Sequence, residues 1–308
     1  MLLLLAAVIA AAVASHLFNP TDWPPLALDI LHSLHGPGFA LLALAVFWYL
    51  QSRCVSTINY LLAAGITMGI GLISEIAQIP GPRDAQFKDL LVDAIGILGA
   101  LGITASFDRR VRSAINKSAR LLLPTIAGVA LAIACVPTLW YSYALVSQQR
   151  AFPVLLSFEQ TWETATISRT NGLKPSRVAA PDDWPVDGAT IAHGTEAGRW
   201  GIFLSLHLSP DWQGYSKLSF VAASADAEFP LALCIRDIRP DRKSRRNRFC
   251  KHLTVNSEAQ RFVVEFDEIR LAMEGRPFDF TRVEALVFSA SKPGDGRELL
   301  LDDIRLEL

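Results

Sequence analysis

The sequence predicts a multi-domain chain: an all-α transmembrane helical bundle of about five spans over residues 1–149, then an all-β jelly-roll sandwich over residues 150–308. Three observations lead there. Residues 1–149 carry 15 Asp, Glu, Lys and Arg while residues 150–308 carry 44, a contrast too large for one soluble fold. The first half is built from long apolar runs. The second is built from short, partly alternating runs separated by Gly, Pro, Asn and Asp. The 308 residues suffice for two domains, and a net charge of −1 argues against nucleic acid as a partner.

The apolar runs are Leu2–Phe18, Gly38–Leu50, Tyr60–Ile79, Leu90–Phe107 and Leu121–Val146. The last three meet the length of about 20 residues that a helix needs to cross the hydrocarbon layer. The second is short unless its helix starts near Asp29, which would draw in His32 and His35 and leave Pro37 as a kink. The first reads as a retained helix. A signal peptide is the alternative, with Ala12-Val13-Ala14 as cleavage sequence but no basic residue after Met1.

Basic residues orient the bundle. Arg53 and the segment holding Arg109, Arg110, Arg112, Lys117 and Arg120 belong on the cytoplasmic side. An odd number of crossings then exports residues 150–308. In that oxidising compartment Cys234 and Cys250, on strand-like runs LALCIRDI and NRFCKHLTV, are expected opposite each other on a hairpin centred near Arg242, joined by a disulfide. Cys54 and Cys135 fall in or beside spans and read as packing residues.

The polar residues of the bundle gather on the outer side. His32 and His35 are one turn apart at the start of the second run. Glu75 and Gln78 share a face at the end of the third, and Asp89 and Asp93 share one at the start of the fourth. Arg83 and Asp84 sit in the short loop between. A charge within a span costs roughly 2.5–3.5 kcal/mol on insertion scales and is usually paired or functional. The plain reading is interfacial: Asp89 as a helix-start residue, and Arg83 pairing with Glu75 or Asp84. Glu75 and Asp93, a turn inside their spans, strain it. Glycines at 65, 69, 71, 96, 99 and 102 are expected to bring the third and fourth spans together. His35 and Glu75 are the candidate base and acid, and His32, Gln78, Arg83, Asp84, Asp89 and Asp93 the candidate substrate contacts. The spacing matches no known zinc motif, so neither a metal nor a cofactor is expected.

Residues 29–107 resemble the VanZ-like membrane proteins, through HSLHGPGF leading into one span, SEIAQ ending the next, GPRD in the loop, and KDLLVDAIGILGALG entering the one after. The resemblance implies polar family positions at His35, Glu75, Gln78, Arg83, Asp89 and Asp93. This sequence departs from it in the extra His32 and in Asp93, where many relatives carry asparagine. It implies a multi-pass protein of the bacterial inner membrane with an envelope function, a family link to glycopeptide resistance, and no settled reaction.

For the exported half, eight strands are expected: VLLSFE, WGIFLSLHL, KLSFVAAS, LALCIRDI, NRFCKHLTV, RFVVEFDEI, VEALVFSAS and ELLLDDIRLEL. With DWQGYSKLSF and the terminal LLLDDIRLEL, these runs resemble galactose-binding-like and carbohydrate-binding jelly-roll modules. The resemblance implies glycan binding, with Trp162, Trp184, Trp200 and Trp212 as stacking candidates against the simpler reading of core residues. It also implies a structural calcium at Asp302 and Asp303, against a turn and a polar strand face. The run RPDRKSRRNR sets Arg239, Arg242, Lys243, Arg245, Arg246 and Arg248 on a hairpin tip suited to an anionic partner. The expected partners are the lipid bilayer and a lipid-linked or cell-wall glycan. The functional readings are a binding protein with an outward polar pocket, a hydrolase or transferase acting on a lipid-linked substrate, and an accessory protein without catalysis.

Overall fold

The computed structural model of the chain describes residues 33–78, 87–169, 176–186, 190–194, 201–205, 211–224, 228–237, 248–272, 276–290 and 299–308. Two compact units are present, Met1–Trp140 and Tyr141–Leu308, with the boundary inside the last long helix.

The first unit holds helices α1 (His35–Arg53), α2 (Ile58–Gln78), α3 (Phe87–Phe107) and the short α4 (Arg109–Ala114), and most of α5 (Lys117–Ala151). Among the described residues three helices, within Ile58–Ile76, Phe87–Phe107 and Lys117–Ala151, are long and apolar enough to cross a membrane. Leu61, Ile73, Leu98, Leu121 and Leu139 on them are each exposed by about two-thirds, an apolar exterior that suits lipid better than water. The first expected run and the expected helix start near Asp29 lie outside the described residues. Because α1 begins at His35, Pro37 sits in its first turn, where its missing N–H interrupts no helical bond. Helix α5 continues through Pro124 and Pro137. The basic segment after α3 forms α4, capped by the Asp108 side chain, which accepts a 2.9 Å bond from the Arg110 N–H.

Small residues set the packing, though not as the sequence implied. Gly65 and Gly69 of α2 face open space, and Gly71 meets Phe39. The closest approach is between α1 and α3, where a Cβ on Gly96 would lie 2.3 Å from the Gly36 carbonyl oxygen. A Cβ on Gly99 or Gly102 would instead press on Leu131 or Ala127 of α5. Only glycine permits these backbone contacts. Leu42, Ala43, Val46 and Phe47 pack on Ala63, Ile97 and Leu101 below them. At the far end, Asn59 donates to Gln51 at 3.2 Å and the Tyr60 hydroxyl donates to Asp108 at 3.2 Å.

The second unit is a two-sheet antiparallel sandwich. Its strands are β1 (Val154–Leu156), β2 (Ile167–Arg169), β3 (Ser176–Ala179), β4 (Thr190–Gly194), β5 (Gly201–Ser205), β6 (Lys217–Ser224), β7 (Phe229–Asp237), β8 (Arg248–Val255), β9 (Gln260–Glu265), β10 (Val283–Ala290) and β11 (Leu299–Glu307). One sheet runs β3-β4-β11-β6-β9 with β1 also on β11, and the other runs β2-β5-β10-β7-β8. From β4 to β7, and again from β8 to β11, consecutive strands alternate between the sheets, the connectivity of a jelly roll. The core lies between them, with Phe220 of β6 edge-on to Phe288 of β10 at 5.0 Å. All eight expected strands are present. The run RFVVEFDEI divides into β9 and a helix, α6 (Phe266–Ala272), whose Phe266 stacks on Trp212. In the β7–β8 hairpin Cys234 faces Cys250 and the two form a disulfide.

Candidate functional site

Three helices bring four polar side chains to one end of the first unit. His35 opens α1, Glu75 lies in the last turn of α2, and Asp89 and Asp93 occupy the first two turns of α3. Because α1 and α3 run one way and α2 the other, the start of two helices and the end of the third coincide. Ligand atoms of His35, Glu75 and Asp89 all lie within 4.8 Å of one another. Behind them the Asp93 carboxylate lies 3.3 Å from Nδ1 of His35, a contact in which the protonated ring nitrogen donates to the carboxylate. Asp93 is 1% exposed and Glu75 7% exposed. Burial at that level is costly for a carboxylate without a compensating partner. His35 also stacks on Phe39, their rings 7° from parallel. Its neighbour Gly36 is wedged against Gly96 and Ala134, so the imidazole stands on a tightly packed base. His32, Arg83, Asp84 and the side chain of Gln78 lie outside the described residues.

A second concave region lies on the β10-β7-β8 face of the sandwich. It encloses about 430 Å³ and is lined by Arg236, Arg248, His252, Ser289 and the Cys234–Cys250 disulfide. Pleating explains the set: Ala232, Cys234 and Arg236 on β7, and Arg248, Cys250 and His252 on β8, alternate along their strands and so share a face. The Arg236 guanidinium pairs at 3.0 Å with the fully buried Glu284 of β10. Arg248 is therefore the residue of the basic run that joins this groove, and Arg239, Arg242, Lys243, Arg245 and Arg246 lie outside the described residues. Arg236, His252 and Ser289 were not singled out from sequence, although the period-2 pattern around the two cysteines carried the signal.

Among the described residues, two of the candidate stacking tryptophans are core residues and a third is hydrogen-bonded to the sheet. Trp162 and Trp212 are buried core residues, and the Trp184 indole N–H donates to Asp302 at 2.8 Å; Trp200 lies outside the described residues. The polar-face reading of Asp302 and Asp303 is the one the contacts support. Asp303 accepts from Arg261 at 2.6 Å and also from Arg305. Burial pushes the Asp302 carboxyl up to about 6, against the opposing pull of the Trp184 N–H. Burial also raises Glu163, opposed by hydrogen bonds from Ser157. The hydrogen bond from Ser219 holds Glu307 below the usual carboxylate range.

No family model matches the chain, and no curated protein matches it. Over its C-terminal part the chain is similar to solved β-sandwich modules. One is a family 11 carbohydrate-binding module from Clostridium thermocellum in complex with a β-1,3-1,4-mixed-linked tetrasaccharide (17% identity, 45% of this chain and 85% of that one, TM-score 0.34). Another is a family 30 carbohydrate-binding module of a cellulosomal cellulase of the same organism (15% identity, 46% and 85%, TM-score 0.33). An exo-β-agarase is matched over 50% of this chain and a quarter of its own length (25%), at 11% identity and a TM-score of 0.38.

Proposed function

We propose that the chain is a VanZ-like integral protein of the bacterial inner membrane, whose outward-facing pocket binds the polar group of a lipid-linked or cell-wall glycan. In this reading residues 1–149 form a bundle of about five spans and residues 150–308 form an extracytoplasmic, glycan-binding sandwich. The observation that carries it is the convergence of His35, Glu75, Asp89 and Asp93 from three helices at one end of a unit with an apolar exterior. The outward orientation is supported by Arg53, Arg109, Arg110 and Arg112 at the opposite helix ends, where the positive-inside rule puts the cytoplasm. The sandwich's part is supported by the groove that holds Arg248, whose charge suits an anionic glycan. The family link to glycopeptide resistance belongs to the same proposal, and teicoplanin sensitivity of a deletion strain tests it.

A second reading is favoured by one contact, the His35–Asp93 hydrogen bond. A buried carboxylate that fixes an imidazole tautomer is how enzymes prepare a general base. Glu75 would then be the acid, in a hydrolase or transferase for the same substrate class. Thermal shift of the full-length protein with undecaprenyl-linked lipids, peptidoglycan fragments and anionic glycans tests both readings. A ligand whose stabilisation vanishes in Glu75→Gln and Asp89→Asn supports the pocket, and turnover of that ligand supports the enzyme. Ligands that stabilise wild type and variants equally would move binding to the sandwich and return the helical charges to scaffolding.

A further inference from the structure

We infer that the helical pocket holds a divalent transition-metal ion of the zinc or manganese class, with His35, Glu75 and Asp89 as its ligands and Asp93 orienting the histidine. The inference deepens the pocket reading above and rests on its location, not on its glycan ligand.

The donor set comes first. One imidazole nitrogen and two carboxylate oxygens from three different helices lie within 4.8 Å of one another. A histidine with two carboxylates, leaving one or more open positions, matches the composition of catalytic rather than structural metal sites. Imidazole in the set selects a borderline transition ion over calcium or magnesium, which prefer oxygen alone. Ligand atoms around a tetrahedral zinc at about 2.0–2.1 Å are roughly 3.3 Å apart. Movements of about an ångström per ligand atom would therefore close the set on an ion.

The second observation is a fourth residue behind those three. Asp93 is 1% exposed, and both of its carboxylate oxygens lie 3.3 Å from Nδ1 of His35. A carboxylate buried behind a histidine has an evident use when that histidine binds a metal through its other nitrogen. It fixes the tautomer, makes the ring a stronger donor and lends the ion negative charge from beyond its ligands. Electrostatics agrees. Glu75 and Asp89 place like charges close together beside an apolar interior, and a central dication turns that repulsion into attraction.

The third observation is rigidity. His35 is followed by Gly36, which is locked against Gly96 on the helix that carries Asp89 and Asp93. Two of the three ligand-bearing helices are thus held at backbone contact beside the site, the preorganisation that a metal site requires.

The test uses the full-length protein in detergent, stripped with EDTA, desalted, and loaded separately with Zn²⁺ and Mn²⁺. The expected result is one tightly held ion per chain by elemental analysis and a rise in melting temperature on loading. His35→Ala, Glu75→Gln and Asp89→Asn should lose the ion, Asp93→Asn should weaken its affinity about 10- to 100-fold, and the surface variant Glu258→Gln should retain it. Co²⁺ loading gives a readout independent of folding: visible d–d absorption in wild type that changes in Asp93→Asn. Wild-type protein that retains neither ion, or variants that bind as much as wild type, would overturn the inference. The two proposals fail separately. A glycan that stabilises EDTA-stripped protein and depends on Glu75 keeps the pocket and removes the metal. An ion bound with no glycan effect keeps the metal and removes the envelope ligand.

Discussion

Asp237 in the sandwich and Asp93 among the helices are both almost wholly buried, but their surroundings differ in kind. Asp237 accepts from Nη1 and Nη2 of Arg276, at 2.5 and 2.6 Å, and from the Asp279 backbone N–H at 2.9 Å. Its neighbours in the sandwich follow suit, with Asp303 on Arg261 and Arg305 and Glu284 on Arg236. Asp237, Asp303 and Glu284 are thus each paired with arginine. Asp93 has one hydrogen bond, to an imidazole toward which Glu75 and Asp89 also reach. The sandwich uses buried charge to fix its architecture, whereas the helical unit concentrates charge where a ligand completes it.

The largest effect is expected where a dedicated pair is broken. Arg276→Met leaves Asp237 buried without its cation, and breaking a buried pair costs about 3–5 kcal/mol. Urea unfolding of the full-length protein, followed by tryptophan fluorescence, measures this through the sandwich transition. A loss below about 1 kcal/mol would show that the pair behaves like a surface contact and would blur the contrast.

Asp302 is the intermediate case, a buried carboxylate with an indole N–H in place of a cation. Its folded-state value of about 6 stands above the ordinary 3.8, so the folded chain binds the extra proton across that window. Its contribution to stability is therefore whole below about pH 3.8 and is lost as pH rises through 6. At about 1.4 kcal/mol per pH unit, the span is worth on the order of 3 kcal/mol. Glu307 has the opposite sign, favouring the fold above its unfolded value and weakening it on acidification. The comparison that isolates Asp302 is wild type against Asp302→Asn. The variant's profile should be flatter between pH 4 and 6, and parallel profiles would remove Asp302 from the account.

Among the helices, contact geometry replaces charge pairing. Gly96→Ala sets a methyl against the Gly36 carbonyl oxygen and should cost about 1–3 kcal/mol, or displace α1. Gly69→Ala meets nothing and should be neutral or gain up to about 1 kcal/mol from helix propensity. Melting temperatures of the two variants in detergent decide this, and equal shifts would mean that α1 and α3 are not packed through their glycines.

What the sequence disclosed follows from which signals are local. The Cys234–Cys250 pair was legible because strand alternation and a hairpin centre suffice to put two residues opposite each other. The eight strongest strands were legible for the same reason. Strands β2, β3 and β4, of three, four and five residues, carry too little alternation to register, and α6 was absorbed into the apolar run of β9. His35, Glu75, Asp89 and Asp93 stood out singly, because charge in an apolar background is conspicuous in one dimension. Their partners did not. Gly65 and Gly69 look like Gly96 and Gly99 in sequence, yet two face open space and two are wedged against other helices, a difference only tertiary packing makes.

The smallest expected change in stability bears most on function. Asp89 is half-buried at the start of α3, and Asp89→Asn keeps its shape while removing one of the charges crowded around His35. If the cluster were scaffolding, this change would cost stability as Arg276→Met does in the sandwich. If the cluster awaits a cation or a polar ligand, removing a like charge relieves repulsion. The unliganded protein should then stay within about 0.5 kcal/mol of wild type or melt slightly higher. Helix-dipole loss at the first turn of α3 offsets part of that gain, by about 0.3–1 kcal/mol. Differential scanning calorimetry of EDTA-stripped wild type and variant gives the comparison. A drop of several degrees would assign the helical charges the same architectural role as those in the sandwich. An unchanged or raised midpoint, together with lost ligand response, would mark the four residues as a site whose stability has been given up for binding.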